Sequence, residues 1–416
     1  MTSPGDATQL RDGLRARGTQ SLHAKPLCIP FASVNRLHAM NEPTEQIPLA
    51  RPEIDAREET LVLEVLRSGQ LSLGPMGVRF ERELAAWLGV EDAVSTSSGT
   101  TALHLGVRQL GWGPGDEVLT SPFSFVASAN CLLYEGARPV FCDVDPVTLN
   151  LDPEAAAAAL SERTAGVLPV HIFGFPAAMP ELEALGGGLP ILEDACEAIG
   201  AVDSEGRRVG ARGNLATFAY YANKQMTTGE GGTIVPTDAA TAARLRSERN
   251  QGRAVDMGWL DHDRLGYNYR LSDVAAAIGV AQVEKLDSLL ERREAAAALY
   301  AEGLAGIEGV EIPIAARGSE RRSWFVYVVR LPASADRDAT IARLAERGIQ
   351  SKAYLPCIHL FPHLRELGYR EGQFPVAEAA AAHSLALPFF PAISEGQVAR
   401  VCQELAAALG QSSGRR

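Results

Sequence analysis

Paired cysteines are missing from this sequence. Its six cysteines, Cys28, Cys131, Cys142, Cys196, Cys357 and Cys402, are scattered and no two form a C-x-x-C pair. That spacing argues against a disulfide framework or a metal site and suits reduced thiols in a cytosol. No apolar run is long enough to span a bilayer, so no membrane partner is expected. An excess of positive charge is missing too. A net charge of −12 and a pI near 5.3 exclude broad binding to nucleic acid or an anionic membrane, while leaving room for a local basic pocket. No G-x-G-x-x-G stands between a first strand and helix, and no G-x-x-x-x-G-K-S/T occurs. The dinucleotide fingerprint and the P-loop are thereby removed.

What is present is a chain of 416 residues, 46% hydrophobic and 22% charged, enough for two domains with a sizeable core. Residues 1–46 mix Gly, Ser, Pro and Arg without period and read as a disordered extension. An over-extended start with Met40 as the initiator explains them better than an organelle transit peptide. Helical spacing follows in Ala56–Ser68 and Phe80–Leu88. Short apolar strands then alternate with helices: Asp92–Thr96, Glu117–Thr120, Arg138–Val144, Gly166–His171, Pro190–Asp194 and Leu215–Tyr220 are the strands. Thr101–Leu110, Val126–Glu135, Pro153–Leu160 and Met179–Leu185 are the helices. This rhythm predicts an α/β fold, a mainly parallel sheet flanked by helices, over residues 47–280. Ser272–Leu304 reads as one long helix linking it to a smaller α+β unit at 281–416, with a strand at Trp324–Leu331 and helices at Ala339–Arg347, Val376–His383 and Glu395–Leu409.

Four features fall where such a sheet binds ligands, beyond the carboxyl ends of its strands. Ser98-Gly99-Thr100-Thr101 marks a strand-to-helix passage whose free amides suit a phosphate; an ordinary N-cap by Ser98 explains the same residues. Asp194 closes a strand and suits either a protonated ring nitrogen or another helix cap. Phe125, in Pro122-Phe123-Ser124-Phe125, offers an aromatic face or a core side chain. Lys224 lies between a β-prone run and Thr227-Thr228-Gly229-Glu230-Gly231-Gly232, where a lysine shielded from water can act as a nucleophile. A lysine, a phosphate cradle, an aspartate and an aromatic plate together are what pyridoxal 5'-phosphate requires. His171 reads as a satisfied buried histidine in preference to a lining of that pocket.

These residues sit in SSGTTALHL (Ser97–Leu105), PFSFVASAN (Pro122–Asn130), EDACEAIGA (Glu193–Ala201), NKQMTTGEGG (Asn223–Gly232) and GYNYRLSDVAAAIGVAQVEKLD (Gly266–Asp287). In order and spacing the chain resembles, from about Ile47 to Leu409, the DegT/StrS family of sugar aminotransferases. The resemblance implies an aspartate-aminotransferase-like fold of type I and a homodimer with shared active sites. It makes Lys224 the Schiff-base lysine, Asp194 the pyridine-nitrogen partner, Phe125 the stacking ring, and Gly99 and Thr100 phosphate ligands. Asn268 becomes a phosphate ligand given to the neighbouring subunit. Glu197 stands near the cofactor where many members carry glutamine, and Ala219 where many carry serine. Lys224, where sugar-dehydrating relatives have histidine, favours transamination between an amino donor, L-glutamate foremost, and a ketosugar, most readily a nucleotide-linked one. An aminotransferase on a cyclic ketone such as an inosose, or a non-catalytic regulator keeping the cofactor, are the alternatives. Lys352, Tyr354 and His359 are the candidates for substrate contact, with a structural histidine and a solvated lysine as the alternative reading of His359 and Lys352.

Overall fold

The computed structural model describes residues 46–254 and 261–411, and the reading of residues 1–45 as an extension lies outside them. The central sheet is built from β1 (Val94–Thr96), β2 (Glu117–Thr120), β3 (Arg138–Phe141), β4 (Thr164–Leu168), β5 (Leu192–Asp194), β6 (Leu215–Ala219) and β7 (Gly232–Val235). Their order is β3-β2-β4-β5-β6-β7-β1, with β4 joined to β5 by the parallel bridges Val167–Ile191 and Val170–Asp194. β2 runs parallel to β3 and β4, and β5 to β6, whereas β7 is antiparallel to both β6 and β1. The mainly parallel sheet is as expected. The reversed strand β7, following the glycine-rich turn, is not among the expected elements.

Helices α1 (Ala56–Ser68), α2 (Pro75–Leu88), α3 (Gly99–Leu110), α4 (Ala127–Tyr134), α5 (Pro153–Ala158), α6 (Met179–Glu183), α7 (Ala239–Arg249), α8 (Asp273–Glu284) and α9 (Leu286–Leu304) accompany it. Side-chain caps define several starts: Asp55 with Glu58 forms a capping box on α1, Ser98 with Thr101 on α3, and Ser272 caps α8. Both faces of the sheet are buried. Phe218, Tyr220 and Val235 pack with Leu61, Phe80, Leu84 and Val280. Val94, Leu192, Leu215 and Ile234 pack on the other face with Leu103, Leu105 and Leu132. The two-residue alternation of the strands is what divides them.

The helix expected over Ser272–Leu304 is broken. Lys285, at φ −114° and ψ 10°, ends α8 and starts α9. Its ammonium reaches Asp55 (2.8 Å) and Glu58 (2.7 Å) at the start of α1, so contacts distant in sequence accompany a break that helical periodicity does not announce. Beyond α9 come the small hairpin β8 (Ala316–Arg317) and β9 (Glu320–Arg321). The antiparallel sheet β10 (Tyr327–Arg330), β12 (Ser384–Leu387), β11 (Lys352–Ala353) follows. Its core joins Tyr300, Trp324, Tyr327, Leu385, Phe389 and Val401. The strand expected from Trp324 begins only at Tyr327. The carbonyls of Ser323, Trp324 and Phe325 are taken instead by the side chains of Gln225 and Arg293. Among the described residues no helix is long and apolar enough to cross a membrane, and the cysteines Cys131, Cys142, Cys196, Cys357 and Cys402 are free thiols.

Candidate active site

The carboxyl ends of β2, β5 and β6 and the start of α3 converge. Lys224 follows β6 by five residues in a turn closed by its own amide donating to the Tyr221 carbonyl (2.9 Å). Its side chain is 13% exposed, with Nζ 3.4 Å from Glu197 Oε1 and 3.9 Å from the centre of the Phe325 ring. The Lys224 carbonyl accepts from Arg293 Nη2 (3.1 Å), whose other terminal nitrogen serves Trp324 and Phe325. A buried guanidinium thus ties the lysine turn to the segment carrying the ring above it, and burial weakens that guanidinium's hold on its proton. The second oxygen of Glu197 accepts from the Phe173 amide (2.9 Å). Phe173 sits at φ 52°, a left-handed conformation that a bulky residue adopts only when its surroundings impose it. Gly174 beside it has to be glycine, because a Cβ there would stand 1.7 Å from the Ser323 carbonyl oxygen.

Tyr354 joins the same space. Its ring lies 5.7 Å from that of Phe173 and 6.2 Å from that of Phe325. Burial, with the Glu197 charge added, drives its hydroxyl far above the ordinary phenol range, so it is a neutral hydrogen-bonding group here.

Asp194 ends β5, 5% exposed. Its Oδ2 accepts from Ser128 Oγ (2.7 Å) and its Oδ1 from the Cys196 amide (3.1 Å). Ser128 lies on α4 and pairs in turn with Ser124 (2.7 Å). Burial first, then the Asp194 charge, pushes the thiols of Cys131 and Cys196 well above the usual range. Phe125, next to Ser124, is 62% exposed.

At the start of α3, Ser98 Oγ accepts from the Thr101 amide (3.1 Å) and Thr101 Oγ1 from the Ser98 amide (3.0 Å). The amides of Gly99 and Thr100 precede the first intrahelical bond and remain available. Gly99 permits a close approach: a Cβ on it would lie 2.6 Å from Ala219 Cβ and 2.9 Å from Cys196 Sγ. The helix start therefore rests directly on the ends of β5 and β6.

Lys224, Glu197, Asp194, Gly99, Thr100, Phe125 and Tyr354 thus lie beyond the carboxyl ends of the parallel strands. Lys352 is exposed on β11, and Asn268 is exposed opposite Asn250 in an isolated antiparallel bridge. His171 is the satisfied buried histidine, with Nε2 3.2 Å from Glu193 and Nδ1 accepting from the Ala177 amide. His359 corrects the expectation of a substrate contact. It is 0% exposed, packed edge-on against Phe374 at 4.8 Å and bonded through Nε2 to Glu378 (3.2 Å). Four residues were not found by reading the sequence: Phe173, Phe325, Arg293 and Ser128. Ser128 lies in the first turn of α4 and pairs with Ser124 in the bend before that helix.

The buried His359 carries a pH prediction. Burial outweighs the Glu378 carboxylate and lowers its affinity for a proton. The unfolded chain, titrating near about pH 6.5, then binds more protons than the folded one, so stability rises with pH across that window and is lost on acidification, at most about 1.4 kcal/mol per pH unit. Thermal unfolding followed from about pH 7.5 to about pH 5.5 is expected to show a falling midpoint, and a shallower fall in His359→Gln. Parallel curves for the two proteins would contradict the assignment.

Comparison with known proteins places the chain in a family. A model of the DegT/DnrJ/EryC1/StrS aminotransferase family matches residues 52–406. GDP-perosamine synthase of Caulobacter vibrioides is 37% identical over 373 residues, covering 86% of this chain and 97% of that protein. The dTDP-3-amino-3,4,6-trideoxy-alpha-D-glucose transaminase of Streptomyces venezuelae is 36% identical over 371 residues, covering 88% and 96%. The crystal structure of the aminotransferase TlmJ from Streptoalloteichus hindustanus superposes with a TM-score of 0.83 at 35% identity, over 88% of this chain and 99% of that one. The chain belongs to the DegT/DnrJ/EryC1/StrS aminotransferase family.

Proposed function

We propose that this chain is a pyridoxal-5'-phosphate-dependent aminotransferase that moves an amino group from an amino acid, L-glutamate being the expected donor, to a nucleotide-linked ketosugar. The observation that carries this reading is the pairing of a sequestered amine, Lys224, with a buried aspartate, Asp194, at neighbouring strand ends beside a free helix start. The curated relatives named for nucleotide-sugar products supply the substrate class.

The residues fit the cofactor. Gly99 and Thr100 offer amides to its phosphate, Asp194 an acceptor to its ring nitrogen, and the uncovered Phe125 ring a face to stack on. Asn268, displayed to solvent, is the residue a second copy of the chain would lend to its partner's phosphate, which makes the working unit a homodimer. Residues 47–280 carry the cofactor, and 281–416 supply Phe325 and Tyr354, with Lys352 nearby as a cation for the substrate.

When bound, pyridoxal phosphate supplies an aldehyde for amine exchange and a ring that accepts electrons. The protein does the rest. Lys224 would be the residue that holds the aldehyde, and its amine, when free, would be the base placed to take the proton from the donor's α-carbon. Glu197 and the face of Phe325 keep that amine in place. Asp194 keeps the ring nitrogen protonated, and Tyr354 and Phe173 exclude water above the lysine.

The test is spectroscopic. The purified protein is expected to show a visible absorption band that L-glutamate bleaches and a nucleotide-linked ketosugar restores, and borohydride is expected to fix the cofactor's mass on the peptide containing Lys224. A band indifferent to every amino donor, or an unlabelled Lys224, would overturn the reading.

A further inference from the structure

The start of α3 and the aspartate on β5 lie at opposite ends of the proposed cofactor, and the molecule contains a strut that fixes the helices holding them. Tyr269 grips α3 twice. Its backbone carbonyl accepts from the amide of Ser97, the residue before the Ser98 cap (2.8 Å), and its hydroxyl lies 2.9 Å from Nδ1 of His104, two turns along the helix. His104, 4% exposed, continues the chain through Nε2 to Glu135 Oε1 (2.7 Å). Glu135 is the residue that ends α4, and α4 begins with the turn bearing Ser128, the hydrogen-bond donor to Asp194.

Glu135 is a firm anchor. Burial opposes its charge, but hydrogen bonds from His104 and Arg108 prevail and hold its carboxyl below the usual range. Arg108 Nη1 lies 3.1 Å from each of its oxygens, and Tyr267 donates to it as well (3.3 Å). Tyr267 stacks on Tyr269 at 4.9 Å with planes 11° apart, so the tyrosine that starts the strut is held from the side. Arg108 also reaches Glu248 (3.3 Å), which fastens the assembly to α7.

We infer that Tyr269, His104 and Glu135 are positioning residues that set the spacing between the anion cradle at Gly99–Thr100 and the Asp194 carboxylate. Each half of the site is complete without them: the cradle is made by backbone amides and the Ser98–Thr101 capping box, and Asp194 by Ser128 and the Cys196 amide. The close seat of Gly99 on Cys196 brings the halves together, and what the strut adds is a second brace farther along α3 and α4 that holds their spacing, which matters only to a ligand that uses both at once. This inference rests on the cofactor reading above.

The experiment measures binding to the cofactor-free protein by calorimetry, using pyridoxal 5'-phosphate, pyridoxal and inorganic phosphate in turn. Tyr269→Phe removes only the hydroxyl bond to His104 and keeps the carbonyl bond and the ring stack; Glu135→Ala removes the far anchor, and Glu135→Gln keeps an acceptor for His104. Tyr269→Phe and Glu135→Ala are expected to weaken pyridoxal 5'-phosphate about tenfold, in keeping with the loss of one hydrogen bond in a charged network, and Glu135→Gln is expected to recover most of it. Pyridoxal alone and phosphate alone are expected to stay within about twofold. Unchanged pyridoxal 5'-phosphate affinity, or an equal loss for all three ligands, overturns the strut while leaving the cofactor reading intact. Failure of the unaltered protein to bind pyridoxal 5'-phosphate overturns both.

Discussion

Replacing Lys224 with arginine is expected to abolish amino transfer while leaving the folded protein nearly as stable as before. Arginine keeps the positive charge beside Glu197 and over the Phe325 ring, so the surroundings of the side chain remain paired. It is a poor nucleophile toward an aldehyde and does not release a proton at working pH. General base catalysis alone contributes about 10²–10⁴-fold, and the covalent exchange step is lost with it, so turnover with L-glutamate is expected to fall by at least about 10⁴-fold. Alanine at the same position is expected to be equally inactive but less stable, because the Glu197 carboxylate, with a side chain only 9% exposed, then loses its ammonium partner and keeps the hydrogen bond from the Phe173 backbone amide. Steady-state rates and thermal unfolding of the two variants separate nucleophile from charge. An arginine variant that still turns over within tenfold of the parent would place the reacting amine elsewhere.

The contrast between what the sequence announces and what it conceals follows from the range of the interactions. The alternating strands and helices were legible because a strand buried on both faces must be apolar along its length, as in Val94, Leu192 and Phe218. Ser98 and the glycines after Lys224 were legible because caps and close approaches demand particular residue types. The break at Lys285 was not, since its partners Asp55 and Glu58 lie far away in sequence. Phe325 looked like one more strand residue in an apolar run, and only the diversion of its carbonyl to Arg293 takes it off the sheet and over Lys224. His359 stayed open between substrate contact and a structural histidine for the converse reason: its burial against Phe374 and Glu378 is set by the packing of helix Pro375–His383, not by its neighbours in the chain. Local rules find the parts of a site that are made of backbone. They miss the parts that fold in from the other end of the chain.

Asp194→Asn is expected to show how much of the rate is owed to one buried charge. The substitution is nearly isosteric, and the hydrogen bonds can be kept: the amide oxygen still accepts from the Cys196 amide, and the amide nitrogen can donate to Ser128 Oγ. Ser128 can accept because its own proton has other takers, Ser124 Oγ at 2.7 Å and the Phe125 carbonyl at 3.2 Å. Folding stability is therefore expected to change by less than about 1 kcal/mol. What disappears is the negative charge that keeps the ring nitrogen protonated, in a pocket dry enough to keep two neighbouring thiols neutral. Electrostatic groups of this kind in a water-poor site are worth about 10²–10³-fold in turnover, and that loss is expected in kcat with KM for the donor little altered. Ser128→Ala, which leaves the charge but removes its orienting bond, is expected to cost about tenfold. If the asparagine variant instead turned over at the parental rate, Asp194 would only close the turn after β5 by accepting from the Cys196 amide, and the electron-accepting end of the cofactor would have to lie against a different wall.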